Sequence, residues 1–177
     1  MNPGESLDVP WFLPSFAISV VVGIAASGIL GRALGVRRAL AWAIVISLGI
    51  IAAATLTPRW QALEFGALGS SSCDMSRLGP APLDELLRPT ESLGNILMFI
   101  PLGATIGLLP RSRRKAAIVI AAIALPFAIE TTQLLAPALD RACESADVVD
   151  NLTGLVIGLV GGVVAGRLGA AVDRLPD

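Results

Sequence analysis

The sequence predicts an all-α fold, a polytopic bundle of five transmembrane helices, and three observations carry that prediction. Of 177 residues, 54% are hydrophobic and only 15% charged, against roughly 25% charged in soluble domains. Apolar runs recur at about the 20 residues that a helix needs to cross a bilayer. Lysine and arginine concentrate in the turns on one side of those runs.

The first run spans Trp11 to Leu34 and the second Leu40 to Leu56. The third spans Leu93 to Leu109, the fourth Ala116 to Leu135 and the fifth Val148 to Leu168. Pro58, Pro110 and Pro137 follow three of these runs, where a helix should stop. Residues 1–177 read as one membrane domain. The longest segment outside the runs, Pro58 to Pro89, holds Gly, Pro and Ser70-Ser71-Ser72, which argues against extensive helix.

Arg32, Arg37 and Arg38 lie between runs one and two, and Arg111, Arg113, Arg114 and Lys115 between three and four. Arg167 and Arg174 follow on the same side. Only Arg59, Arg77, Arg88 and Arg141 fall on the other. The positive-inside rule then predicts an outside N-terminus and a cytoplasmic C-terminus. Trp11, Trp42 and Trp60 fall at run ends, as interfacial anchors do. The first run has Glu5 and Asp8 before it and no basic segment, so it reads as a retained helix rather than a signal peptide.

Composition also excludes. The chain has no histidine, which removes histidine-based catalytic triads, phosphatases and His-ligated metal sites. Two cysteines cannot make a thiolate zinc site alone. A net charge of −1 offers no field for nucleic acid. Cys73 and Cys143 share the predicted outer side, where disulfides persist, and are expected to bridge.

Gly154, Gly158, Gly162 and Gly166 recur at four-residue spacing, as do Gly23, Ser27, Gly31 and Gly35. Such stripes let helix backbones approach closely. Internal packing is the preferred reading over an oligomer interface.

Polar residues then single out a site. Glu91 and Asn95 are i and i+4 at the start of run three. Glu130 and Gln133 close run four, and Asp147, Asp150 and Asn151 open run five. At 1.5 Å per residue, Asn95, Glu130 and Asn151 lie roughly 4–9 Å below the outer helix ends. Shared depth on three spans predicts one cluster of Asn95, Glu130, Gln133, Arg141, Asp147, Asp150 and Asn151, in a cavity open to the outer side. A carboxylate in hydrocarbon costs roughly 2.5–3.5 kcal/mol, so Glu130, inside its run, needs a protein partner or a task. The competing reading is structural: Asp147 as a helix cap, Asn95 and Gln133 as interhelical glue, and Arg141 paired with Glu144 or Asp147.

Asn95-x-x-x-Phe99-x-Pro101-x-Gly103, Glu130-x-x-Gln133, and Arg141 through Asp147 and Asn151 to Gly154 and Gly158 closely resemble the VanZ-like family of bacterial membrane proteins. The resemblance covers roughly Glu91 to Gly162. Runs one and two match it in hydropathy only. Glu144 stands where aspartate is expected, and Asp150 is atypical. The resemblance implies a multi-pass protein of the bacterial plasma membrane and a link to teicoplanin-type glycopeptide resistance. It supplies no reaction.

Three functional readings follow. The first is an envelope protein binding a lipid-linked or amphipathic ligand, such as a lipid-linked envelope precursor. Arg141, or Arg141 and Arg88, would contact an anionic head while Asn95, Gln133 and Asn151 hydrogen-bond to it, and the carboxylates would orient the arginine or hold a divalent cation. The second is an intramembrane enzyme with Glu130 and Asp147 as catalytic candidates. The third is a proton-coupled transporter using Glu130 or Asp150, against which stands the lack of an inverted repeat. A structural scaffold is the remaining class.

Overall fold

A computed structural model describes residues 11–66, 72–86, 88 and 90–172. Glu5, Asp8, Ser70, Ser71, Pro89 and Arg174 lie outside the described residues. Along the chain come α1 (Phe12–Leu34), α2 (Arg38–Thr55), α3 (Trp60–Phe65), β1 (Cys73–Asp74) and α4 (Leu83–Leu86). After these come α5 (Glu91–Leu108), α6 (Arg113–Leu135), a 3-10 turn (Pro137–Leu139), β2 (Cys143–Glu144) and α7 (Ser145–Val172). The helices long and apolar enough to cross a membrane are α1, α2, α5, α6 and α7, each matching an expected run to within about a turn. Among its described residues, the 58–89 segment holds the short helices α3 and α4 and the strand β1.

Local chemistry sets the ends. Thr90 and Ser112 cap α5 and α6 by accepting from the N–H groups of Leu93 and Lys115. At the other end of α5, the Lys115 ammonium donates to the carbonyls of Gly107 and Leu109 at 2.8 and 2.9 Å. Gly35, expected as a rung of the first small-residue stripe, instead ends α1: its φ is 68°, a conformation that glycine adopts without strain. Gly23, Ser27 and Gly31 are buried in α1, with Gly23 against Trp42 and Gly31 against Val36 and Arg38.

The second stripe brings two helix backbones into direct contact. A Cβ on Gly154, Gly158 or Gly162 would strike the carbonyl oxygen of Ile96, Ile100 or Ala104 in α5. Equal steps in the same direction make α5 and α7 parallel. Gly103 and Gly107 of α5 return the fit, against the carbonyls of Leu155 and Leu159. Gly166 meets only the Leu108 side chain at an ordinary distance, so the backbone contact ends one rung earlier than expected. In lipid, where apolar burial gives helices little reason to associate, such close van der Waals packing holds them together.

Ile44 and Ile51 of α2, Phe99, Leu102 and Ile106 of α5, Ile129 of α6 and Leu155 of α7 fill the space between these helices. Leu13, Ile18 and Val21 on α1 face outward, as a bilayer-facing helix requires. The turns alternate along the bundle. Every acid among the described residues lies beside α3, β1, α4, β2 or the adjoining ends of α5, α6 and α7. The α1–α2 and α5–α6 turns at the opposite end are purely basic.

Candidate functional site

The acidic end is stitched shut by groups far apart in sequence. Cys73 and Cys143 are disulfide-bonded with Cα atoms 4.5 Å apart. The bond is flanked by a two-residue parallel pairing, Cys73 opposite Cys143 and Asp74 opposite Glu144. Arg77, one turn of chain beyond the cysteine, reaches α7. Its Nη1 and Nη2 donate to the two carboxylate oxygens of Asp150 at 3.1 and 2.5 Å, and Nη2 also reaches Ser92 Oγ at 3.2 Å. The Ser145 hydroxyl donates back to the Arg77 carbonyl at 2.7 Å. The Asp150 carboxylate holds the Arg77 guanidinium above its ordinary pKa.

This changes the reading of Asp150. The sequence groups it with the ligand-binding residues and names it as a proton carrier. In the fold it is 0% exposed and both its oxygens are committed to Arg77, so it anchors the loop over α7. Arg77 carried no motif in the sequence; its proximity to Cys73 was the available signal.

The other polar residues fall into a second group. Glu130, 5% exposed, accepts the backbone N–H of Glu144 through Oε2 at 2.8 Å. Glu144 and Asp147 are its charged neighbours. Asn95 lies beside the Asp147 carboxylate, which is also within the field of Glu91, Glu144 and Asp150. Asp147 sits in the first turn of α7, just inside the cap position, where the helix dipole favours an acid. Glu130, Glu144, Asp147 and Asn95 therefore share one neighbourhood, with Glu91 at its edge.

Arg141 completes it. The Nε and Nη2 groups each lie 3.4 Å from the Thr57 carbonyl, a long contact for an arginine. Burial, with help from the nearby Arg59, pulls the guanidinium pKa down to about 10 against the opposing pull of Glu91 and Asp147. The expected pairing of Arg141 with Glu144 or Asp147 is not formed. The ion pairs among the described residues are Arg59–Glu91 at 3.5 Å and Arg77–Asp150.

Gln133 and Asn151 flank the group, each one turn along its helix from Glu130 and Asp147. Gln133 Nε2 donates to the Thr55 carbonyl at 3.0 Å, so it ties α6 to the end of α2. Its Oε1 and Asn151 Oδ1 are buried without a partner. Arg88 is exposed and takes no part in these side-chain contacts. Two surface hollows lie between α1 and α2 at the opposite end; neither opens on this group. Among the described residues, no three acid or cysteine side chains converge as metal ligands, so the divalent-cation reading has no ready-made ligand set here.

A bundle of helices long and apolar enough to span a membrane, with buried acids and a half-buried arginine at one end, defines a multi-pass membrane protein. The family model for VanZ/LLP1 matches residues 44–165, and the chain belongs to that family. The match reaches back into α2, beyond the Glu91–Gly162 stretch that carries the motifs. No curated protein and no solved structure matches the chain.

Proposed function

We propose that this protein is a component of the bacterial cell envelope that binds a lipid-linked or amphipathic ligand by its anionic head. The acidic end would lie at the outer face of the plasma membrane, the orientation that the arginine distribution favours. The observation that carries this reading is Arg141: among the described residues, a partly buried guanidinium with no carboxylate in ion-pair contact and only a distant carbonyl to donate to. A desolvated cation in that state gains from a phosphate or carboxylate that accepts two parallel hydrogen bonds. Glu91 and Asp147 bias its position without neutralising it by contact. Depth supports an amphipathic ligand, since a head at Arg141 would leave its tail beside the outward apolar faces of the bundle.

The test is purification in native lipid followed by mass spectrometry of what stays bound, for wild type, Arg141→Lys and Arg141→Gln. The expected result is an anionic envelope lipid retained by wild type, weakened in Arg141→Lys, which loses the planar fork, and lost in Arg141→Gln. Equal retention in all three would reject the arginine as the anchor. A lipid-tailed glycopeptide is the first soluble probe, given the family's link to teicoplanin-type resistance. Altered envelope-lipid structures on expression would favour the carboxylate enzyme, with Glu130 and Asp147 as its acids.

A further inference from the structure

We propose that the hollow between α1 and α2, at the basic end, seats an anionic phospholipid. Arg38 would hold the phosphate, Arg32 and Arg37 would form the rim, and an acyl chain would lie against Ile24 and Trp42. This site is separate from Arg141 in residues, helices and membrane face.

Arg38 opens α2, and a long cation at a helix end usually extends toward water. This one turns inward along α1. The Nε donates to Ser27 Oγ at 2.9 Å and Nη2 reaches the Ile24 carbonyl at 3.4 Å. Ser27 lies seven residues before the end of α1, roughly 10 Å into the span. The serine is 2% exposed and donates its own proton to the Ile24 carbonyl, which leaves its oxygen free to accept from Arg38. Gly28 makes room for the guanidinium beside α1. Those contacts occupy Nε and one direction of Nη2. Among the described residues, Nη1 and the second Nη2 hydrogen meet no protein acceptor and remain for a ligand, in the fork geometry that suits phosphate.

The surroundings fit a lipid better than a free anion. A hollow of about 300 Å³ is lined by Ile24, Ser27, Arg38, Ala39 and Trp42. It shares Arg38 with a second of about 550 Å³, whose rim includes Arg32 and Arg37. Arg114 stands beside Gly35 at the same end. Among the described residues no acid lies here to compete. The wall running from the arginines toward the membrane interior is apolar, with Ile24 and Trp42 both exposed on it.

Trp42 supplies the probe. In a Trp11→Phe, Trp60→Phe background it is the sole tryptophan, since the chain has three. The reconstituted protein is titrated with phosphatidylglycerol or phosphatidylcholine carrying brominated acyl chains, at equal bromine content. Trp42 should be quenched preferentially by phosphatidylglycerol, and Arg38→Gln should reduce that preference roughly fivefold, the scale of one arginine at an anionic surface. The double variant Arg32→Gln, Arg37→Gln leaves the Arg38–Ser27 bond in place and should also reduce it, which guards against a folding defect in Arg38→Gln. Arg141→Gln should leave it intact. Equal quenching by both lipids, or a preference unchanged in both arginine variants, would overturn the site. So would inorganic phosphate abolishing the preference at the same concentration as the lipid, because the hollow would then bind a plain anion.

Discussion

Arginine appears at both ends of this bundle and does opposite things. At the acidic end Arg77 is locked to a fully buried aspartate and Arg141 is half-buried with its fork nearly idle. At the basic end Arg32, Arg37 and Arg38 are exposed, and Arg38 leans on neutral acceptors of α1 rather than on an acid. The difference lies in the partner elements. The acidic end is closed by a disulfide, a strand pair and a loop folded back over α7, so water is pushed away from its charges. The basic end consists of short turns that leave theirs open to headgroups and solvent. Charge count alone would rank the ends by sign. Burial ranks them by what a substitution should do.

The largest effect is expected at Arg77. Arg77→Ala leaves the Asp150 carboxylate buried and alone, which should destabilise the fold by about 3–5 kcal/mol, toward the low end because the arginine is partly exposed. Thermal unfolding in detergent would read this as a lower Tm. The double change Arg77→Ala, Asp150→Leu should recover much of the loss, and failure to recover would mean that the pair does more than balance charge.

Arg141 should act on binding rather than stability. Removing one partner of a buried charge pair costs about 2–5 kcal/mol of affinity, so ligand retention should fall by well over tenfold. The pH dependence has a definite sign. With its pKa pulled down to about 10, Arg141 is cationic at neutral pH. Anion binding through it should hold steady below that value and decline as the pH rises through it. A bound anion stabilises the cation and moves the decline upward. Loss of binding on the acid side would point to the carboxylates instead.

Glu130→Gln should be milder for the fold. The amide oxygen can still accept the Glu144 N–H, so stability should change by about 1 kcal/mol or less. Under the carboxylate-enzyme reading, the altered envelope-lipid structures should be lost, because the variant removes the titratable acid beside Asp147. Unchanged products at normal expression would reduce the carboxylate to a structural acceptor. The smallest effect belongs to the basic end: Arg37→Gln should shift stability by no more than about 0.5 kcal/mol. A Tm drop matching that of Arg77→Ala would erase the contrast between the ends.

The spans were legible because bilayer thickness imposes a length on every one of them, and prolines mark where three of them stop. The glycine stripe of α7 was legible for the same reason of periodicity. Its counterpart in α5, Gly103 and Gly107, was not singled out, because a two-member stripe stands out only once its neighbour is known. The gathering of Asn95, Glu130 and Asp147 followed from depth along helices. The partner of Asp150 was not legible, because depth says nothing about an arginine arriving from a loop 73 residues earlier. The pairing of Arg141 with Glu144 or Asp147 does not form, since i to i+3 spacing brings groups together only within a helix, and β2 separates Arg141 from α7.

The Cys73–Cys143 bond joins the chain ahead of α5 to the chain after α6. Those two spans and the Arg111–Lys115 turn therefore sit inside one covalent ring, with α2 leading in and α7 leading out. A protease that nicks the turn opens the ring but frees no fragment: both pieces should migrate as one species until a reductant is added. The protein can thus be cut on the face carrying its basic turns and still keep its opposite face assembled.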